Sequence, residues 1–304
     1  MGVDLVCAAQ VFLDITFPGL EALPAPGEER YADDLVVSPG GGAITAIGAA
    51  RLGLRVAVAA PLGDDYAGRL ISAQLDAEGI EWVGDAVERT AATVVLPADG
   101  DRAMVTFDPA YELTAVQLAA TEPRAAVVGM GQIALVPAGA HAYVVTGDSD
   151  ARQAAAGLPE GLADIRALVA NEREALMLSG RADISDAASA LAEHAPCVVV
   201  TLGAEGALAV ADGELVRAPG RPLDPVDTTG AGDLFAAAYV WADLAGLPLR
   251  DRLEWAVLYA ALSVGVPTAV AGAKNLAALV AAAAELDLAA PAGRAPVSPE
   301  EEER

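Results

Sequence analysis

From residue 126 onward the chain alternates short apolar runs with longer helical ones, and this rhythm narrows the possible folds most. Residues 126–129, 142–146, 167–170, 197–202 and 208–211 have the length and the Ala/Val content of buried strands. Residues 114–121, 172–179, 183–194, 233–245, 249–264 and 276–286 read as helices. Alternation of this kind predicts an α/β fold: a doubly wound, mostly parallel sheet with helices on both faces. The first half adds a strand at 4–12 that Asp14 ends, a loop at 18–29, and an Ala-rich helix from Gly40-Gly41-Gly42 to about Gly53. A strand at 55–60 and an amphipathic helix at 66–78 follow. Three short strands, 35–37, 93–96 and 103–107, do not fit the alternation, and Asp99-Gly100 between the last two is a hairpin signal. They predict a small separate sheet, inserted near residues 13–38 and 91–109. Residues 1–290 then read as one domain, and the Pro- and Glu-rich stretch 291–304 as a disordered tail.

The chemistry concentrates at Asp227-Thr228-Thr229-Gly230-Ala231-Gly232-Asp233, between a Pro-bearing approach (Pro219, Pro222, Pro225) and a helical run. Small residues let the backbone turn tightly and bring its N–H groups close to a ligand. The helix start leaves amides unpaired and points its positive end at the same spot, which suits an anion such as phosphate. A carboxylate at the mouth of that site would repel a phosphate. Asp233 makes sense there if it takes a proton from a hydroxyl that attacks the phosphate. The plainer alternative is a helix cap after a glycine turn.

The whole string resembles the C-terminal signature of the PfkB/ribokinase family of carbohydrate and nucleoside kinases. Further stretches resemble the same family, in its order: residues 40–53 with Gly63-Asp64-Asp65-Tyr66-Ala67-Gly68, then Asn171-Glu172-Arg173-Glu174, then residues 200–207, Val-Thr-Leu-Gly-Ala-Glu-Gly-Ala. The resemblance spans residues 4 to about 285. It implies a ribokinase-like fold whose small sheet is a lid, and a kinase using ATP and Mg²⁺. Asp233 would be the catalytic base and Gly230, Ala231 and Gly232 the anion hole. Asp14, Gly41 and Gly42 would meet the substrate, Asp14 by accepting from adjacent hydroxyls. Asn171 and Glu174 would hold Mg²⁺ and phosphate through water; the alternative for this pair is a helix cap with a solvated Glu174. Thr201, Gly203, Gly206 and Gly272 would face the nucleotide. The family's substrate-contacting Asn is replaced by Ile44. Either Thr45 substitutes for it, or the substrate has no polar group there. Asp227 with the loop 266–273 resembles a K⁺ site, with Lys274 as the first candidate for a fixed charge in its place. The exposed lid implies a homodimer through residues 35–37 and 93–107.

Composition bounds the partners. The net charge of −25 argues against nucleic acid and anionic membranes, and it leaves an ATP site to rely on local amides, Mg²⁺ and a few arginines. The 54% hydrophobic content is dispersed, with runs too short to span a bilayer, and residues 1–6 lack a basic segment of a signal peptide. Cys7 and Cys197 lie in apolar runs and read as buried reduced thiols, which fits a cytoplasmic address. With only His141 and His194, no Cys/His metal cluster can form. A sugar kinase is the leading reading and a nucleoside kinase of the same fold the second. A non-catalytic binding protein comes after them. A dinucleotide-binding oxidoreductase is disfavoured because Gly40–Gly42 lack its glycine spacing.

Overall fold

The computed structural model describes residues 2–98, 101–109, 111–221, 225–286 and 288. The expected hairpin turn at 99–100 and the expected tail at 291–304 lie outside the described residues. In chain order the first strands are β1 (Leu5–Ala8), β2 (Val11–Thr16), β3 (Val36–Gly41), β4 (Val56–Val58), β5 (Leu62–Gly63), β6 (Glu81–Trp82) and β7 (Ala86–Val87). Next come β8 (Ala92–Ala98), β9 (Asp101–Phe107), β10 (Ala125–Val128), β11 (His141–Val145) and β12 (Ala167–Asn171). The last are β13 (Cys197–Thr201), β14 (Gly206–Ala211) and β15 (Glu214–Pro219). The helices are α1 (Gly42–Arg51), α2 (Tyr66–Ala77), α3 (Ala115–Ala120), α4 (Asp148–Ala154) and α5 (Glu172–Ser179), then α6 (Ile184–Leu191), α7 (Ala231–Leu244), α8 (Leu249–Ser263), α9 (Ala269–Gly272) and α10 (Leu276–Ala284).

Among the described residues nine strands form the large sheet, in the order β15-β14-β13-β12-β11-β10-β1-β4-β6. All its pairings are parallel except those of β14 with β13 and β15. Burial on both faces explains why its strands read as unbroken apolar runs. In β1, Leu5 and Cys7 pack with Ile47 of α1, Phe235 of α7 and Trp255 of α8. Val6 and Ala8, one residue out of step, pack with Leu118 of α3, Leu178 of α5 and Leu191 of α6 on the other face. The expected doubly wound sheet with helices on both sides is therefore present. Its strand order reverses at β1, between β10 and β4, and a crevice opens at the carboxyl ends of the strands at such a point.

A second sheet has the order β3-β2-β8-β9 and holds the expected inserted strands. β8 and β9 pair antiparallel up to Ala98 opposite Asp101, as the hairpin signal requires. Two boundaries differ most. Strand β3 runs on to Gly41, so Gly40 and Gly41 lie in a strand and the helix they were expected to open starts at Gly42. Residues 4–12 are not one strand: the chain leaves the large sheet after Ala8 and enters the small one at Val11. Asp14 therefore does not end the first strand but lies inside β2, opposite Ser38 and Thr93. The apolar run gave no sign of the change because both halves are buried. Strand β15 was not expected either; most of its residues are exposed, so it carries no apolar signal.

Two contacts fix the helix that carries Asp233. At its far end, buried Asp243 accepts from Arg166, Arg252 and the Tyr143 hydroxyl. In its middle, Gly48 lets α1 come close: a Cβ there would lie 2.6 Å from Leu234 Cδ2 and 3.1 Å from Ala237 Cβ. No helix among the described residues is long and apolar enough to cross a membrane.

Candidate active site

Helix α7 starts where the signature places it. Gly230, at φ 76°, is its N-cap and brings no side chain to cap it. A Cβ at this position would lie 2.6 Å from both Ile44 Cδ1 and Ala269 Cβ, so the left-handed turn and the packing both demand glycine. The Ala231 N–H reaches Thr228 O at only 3.4 Å. Nothing lies within 4 Å of where a Gly232 Cβ would stand, so the space beside this helix start is open. Asp233 sits in the first turn, and its Oδ1 accepts from the Thr45 hydroxyl at 3.2 Å. Thr45 is a buried residue of α1, so the hydroxyl expected to meet substrate is directed at Asp233. Ile44 turns toward Gly230. Below lies Cys7, whose thiol burial pushes well above its ordinary range, with the charge of Asp233 adding to the effect.

Asp14 is 9% exposed and its carboxylate lies directly over Gly40. Burial pushes its pKa up to about 7, and the charges of Asp233 and Asp227 add to the shift. The three carboxylates thus share one field at the junction of the two sheets. Gly41 and Gly42 begin α1 beside them: Gly41 is its N-cap, and the Gly42 N–H donates to Gln10 O at 2.9 Å.

A second group lies further along the same carboxyl edge. Asn171 at the end of β12 is in register with Thr201 at the end of β13. Asn171 Oδ1 accepts from the Glu174 N–H and Glu174 Oε2 accepts from the Asn171 N–H, both at 2.9 Å, a reciprocal cap of α5. The cap alternative is present, but Glu174 is not solvated: it is 6% exposed, and the Thr146 hydroxyl donates to Oε2 at 2.6 Å. Burial pushes this carboxyl up, while the donors at Thr146 and Asn171 pull it down. Thr146 was missed from the sequence; its one signal is its place at the end of an apolar strand next to Gly147. Gly203 and Gly206 flank the short turn between β13 and β14, and the space at Gly203 is open.

Asp227 acts as a clasp. Its Oδ1 accepts from the Thr229 N–H at 2.8 Å and its Oδ2 from the Thr268 N–H at 3.1 Å, tying the loop before α7 to the loop before α9. Thr268 is held at φ 64°, an outlier for a β-branched residue. Arg51 places a fixed cation beside α9. Its guanidinium donates to Val270 O at 2.6 Å and Ala273 O at 2.8 Å while pairing with Glu78. Gly272 packs against the backbone of Ser263 at the end of α8. A cleft of about 340 Å³ separates Thr16, Val36 and Val95 of the small sheet from Asp227, Thr229 and Thr268. The Thr229 hydroxyl is buried with no partner among the described residues, a state expected of a group that meets a ligand. Among the described residues no group of three or more His, Cys, Asp or Glu is placed to hold a metal ion.

Residues 5–275 match the model of the family described as pfkB family carbohydrate kinase. The chain is 29% identical over 266 residues to the ribokinase of Bacillus subtilis (strain 168), covering 81% of this chain and 90% of the relative. It is 32% identical over 266 residues to the 1-phosphofructokinase of Haloferax volcanii, covering 79% and 84%. Among solved structures, Arabidopsis thaliana ribokinase complexed with ribose and ATP superposes with a TM-score of 0.77 at 26% identity, over 93% of this chain and 99% of that one.

Proposed function

This chain belongs to the PfkB family of carbohydrate kinases, and we propose that it transfers the γ-phosphoryl group of ATP to a hydroxymethyl group of a sugar or sugar derivative. The observation that carries this reading is a carboxylate, Asp233, held in the first turn of a helix whose start is open to an anion. Asp233 takes the proton of the acceptor hydroxyl as that oxygen attacks. The amides of Gly230, Ala231 and Gly232 face the charge that develops on the transferred group. Asp14, with Gly41 and Gly42 beside it, orients the acceptor by accepting from two adjacent hydroxyls. Asn171 and Glu174 would hold Mg²⁺ through water, and Thr201, Gly203, Gly206 and Gly272 would border the nucleotide. When bound, Mg²⁺ supplies positive charge that neutralises the phosphates. Residues 1–290 form one kinase domain on this reading, with the four-stranded sheet as a lid that excludes water.

A nucleoside acceptor is the second reading. It is favoured by Phe17, Val36, Val95 and Leu96, an apolar wall of the cleft suited to a base. Coupled ADP release with and without Mg²⁺, over D-ribose, D-fructose, fructose 1-phosphate, adenosine and cytidine, decides between the two. ADP release with none of a broadened set of sugars and nucleosides would remove the kinase reading.

The lid carries a further proposal. Leu35, Met104, Val105 and Phe107 are exposed, and β9 is an edge strand of the small sheet. Exposed apolar edges of this kind are normally covered, so we expect a homodimer joined through residues 35–37 and 93–107. Light scattering at micromolar concentration checks this, and a monomeric mass counts against it.

Asp227 and the 266–273 loop offer hard oxygen ligands fit for K⁺. We expect turnover to be higher in K⁺ than in a large organic cation at matched ionic strength, and Asp227→Ala to abolish the difference. Equal turnover in both cations would show that no K⁺ is used, with Arg51 as the resident charge beside the loop.

A further inference from the structure

We infer that Thr45 is a positioning residue for Asp233, fixing the orientation of the base rather than binding the acceptor. The inference rests on the reading of Asp233 as the base. Thr45 is 2% exposed, so its side chain is enclosed between α1 and α7 and offers almost no surface to a ligand. A hydroxyl has one proton to give, and this one is directed to Asp233 Oδ1 at 3.2 Å. With Oδ1 held, the plane of the carboxylate is set, and so is the direction in which its other oxygen faces. The surroundings hold the donor in turn. One helical turn further along α1, Gly48 allows close packing on Leu234 and Ala237 of α7. One residue back, Ile44 packs on Gly230, the residue that starts α7.

Two rigid helices therefore meet at three successive points, and the polar one joins the hydroxyl to the base. Carboxylates bring Asp233 a different influence. Asp14 from β2 repels it, and buried Cys7 beneath it offers no charge to balance it. Thr45 brings a hydroxyl from the neighbouring helix to Oδ1.

The test compares Thr45→Val, which keeps the shape and deletes the hydroxyl, with Thr45→Ser, which keeps the hydroxyl. It uses the acceptor that wild type turns over fastest. Thr45→Val is expected to lose about 10–100-fold in kcat, the scale of a slightly misplaced reacting group. Its KM for the acceptor should stay within about threefold, since no ground-state contact is removed. Thr45→Ser should recover most of the rate. In the Asp233→Asn background, Thr45→Val should cost nothing further, because the group it orients is gone. A raised acceptor KM with unchanged kcat would make Thr45 a substrate contact and overturn the inference. Equal losses in the Val and Ser variants would reduce it to packing, and an unaltered Thr45→Val would remove it altogether. Melting curves for each variant separate misfolding from these outcomes. If Thr45→Val does not fold, Thr45→Ser and Thr45→Cys carry the same comparison. Failure of the underlying reading looks different: Asp233→Asn would then turn over at the wild-type rate.

Discussion

Asp233→Asn is expected to fold, to bind nucleotide as the wild type does, and to lose roughly 10²–10⁴ in turnover. The asparagine amide has nearly the shape of the carboxylate, and its oxygen can still accept from Thr45, so the junction of α1 and α7 should survive. What it cannot do is take a proton. The open space beside Gly232 and the helix start are untouched, so the anion-binding parts remain and the residual rate reports on them. The loss should therefore appear in kcat and kcat/KM together, the pattern of an interaction made only in the transition state. Single-turnover phosphoryl transfer, with nucleotide affinity by calorimetry, separates the steps. Turnover within about threefold of wild type would mean that another group, or none, removes the proton. A loss of nucleotide affinity on the same scale as the loss of rate would mean that Asp233 serves binding.

The parts of the molecule that could be read from the chain are those whose signal is local. Helix α5 begins and ends where Asn171 and Ser179 place it, because a reciprocal cap at one end and Gly180 at the other are written in consecutive residues. The Gly230–Asp233 turn was legible for the same reason. The Gly63–Gly68 stretch was equally visible, yet its carboxylate has structural work: Asp65 caps α2 through the Gly68 N–H and accepts from both the N–H and the hydroxyl of Thr90. What could not be read depends on distant partners. Whether a continuous apolar run crosses from one sheet to another, as at Ala9 and Gln10, is decided by what packs on it. Thr146 reaching Glu174, Asp227 reaching Thr268 and Arg51 reaching Val270 join residues far apart in sequence. The contact of Thr45 with Asp233 was hidden for the same reason: the two are 188 residues apart.

Asp14→Asn is expected to make the protein more stable above pH 7 while making it a poorer kinase. In the unfolded chain the Asp14 carboxyl gives up its proton near its ordinary value of 3.8, whereas in the native state burial, helped by Asp233 and Asp227, holds that proton until about pH 7. Between those values the native state binds the extra proton, so stability falls as pH rises, and above about pH 7 the loss is complete. Its size, from the separation of the two values, is on the order of 4 kcal/mol. An asparagine fills the same space over Gly40 without a charge, and it should show no such slope. Urea unfolding at pH 5 and pH 8 should therefore favour the variant more at pH 8. Function should move the other way, because a carboxylate that accepts from two acceptor hydroxyls is replaced by an amide with one accepting oxygen. Each lost contact is worth on the order of 1–3 kcal/mol in acceptor binding, and nucleotide binding should be unchanged. In the wild type, acceptor hydroxyls favour the ionised carboxylate, so the acceptor KM should rise as pH falls below about 7. The variant should lose that dependence. If variant and wild type differ in stability by the same amount at both pH values, the carboxyl is not held neutral in the native state. If both ligands weaken together, Asp14 supports the fold rather than the acceptor.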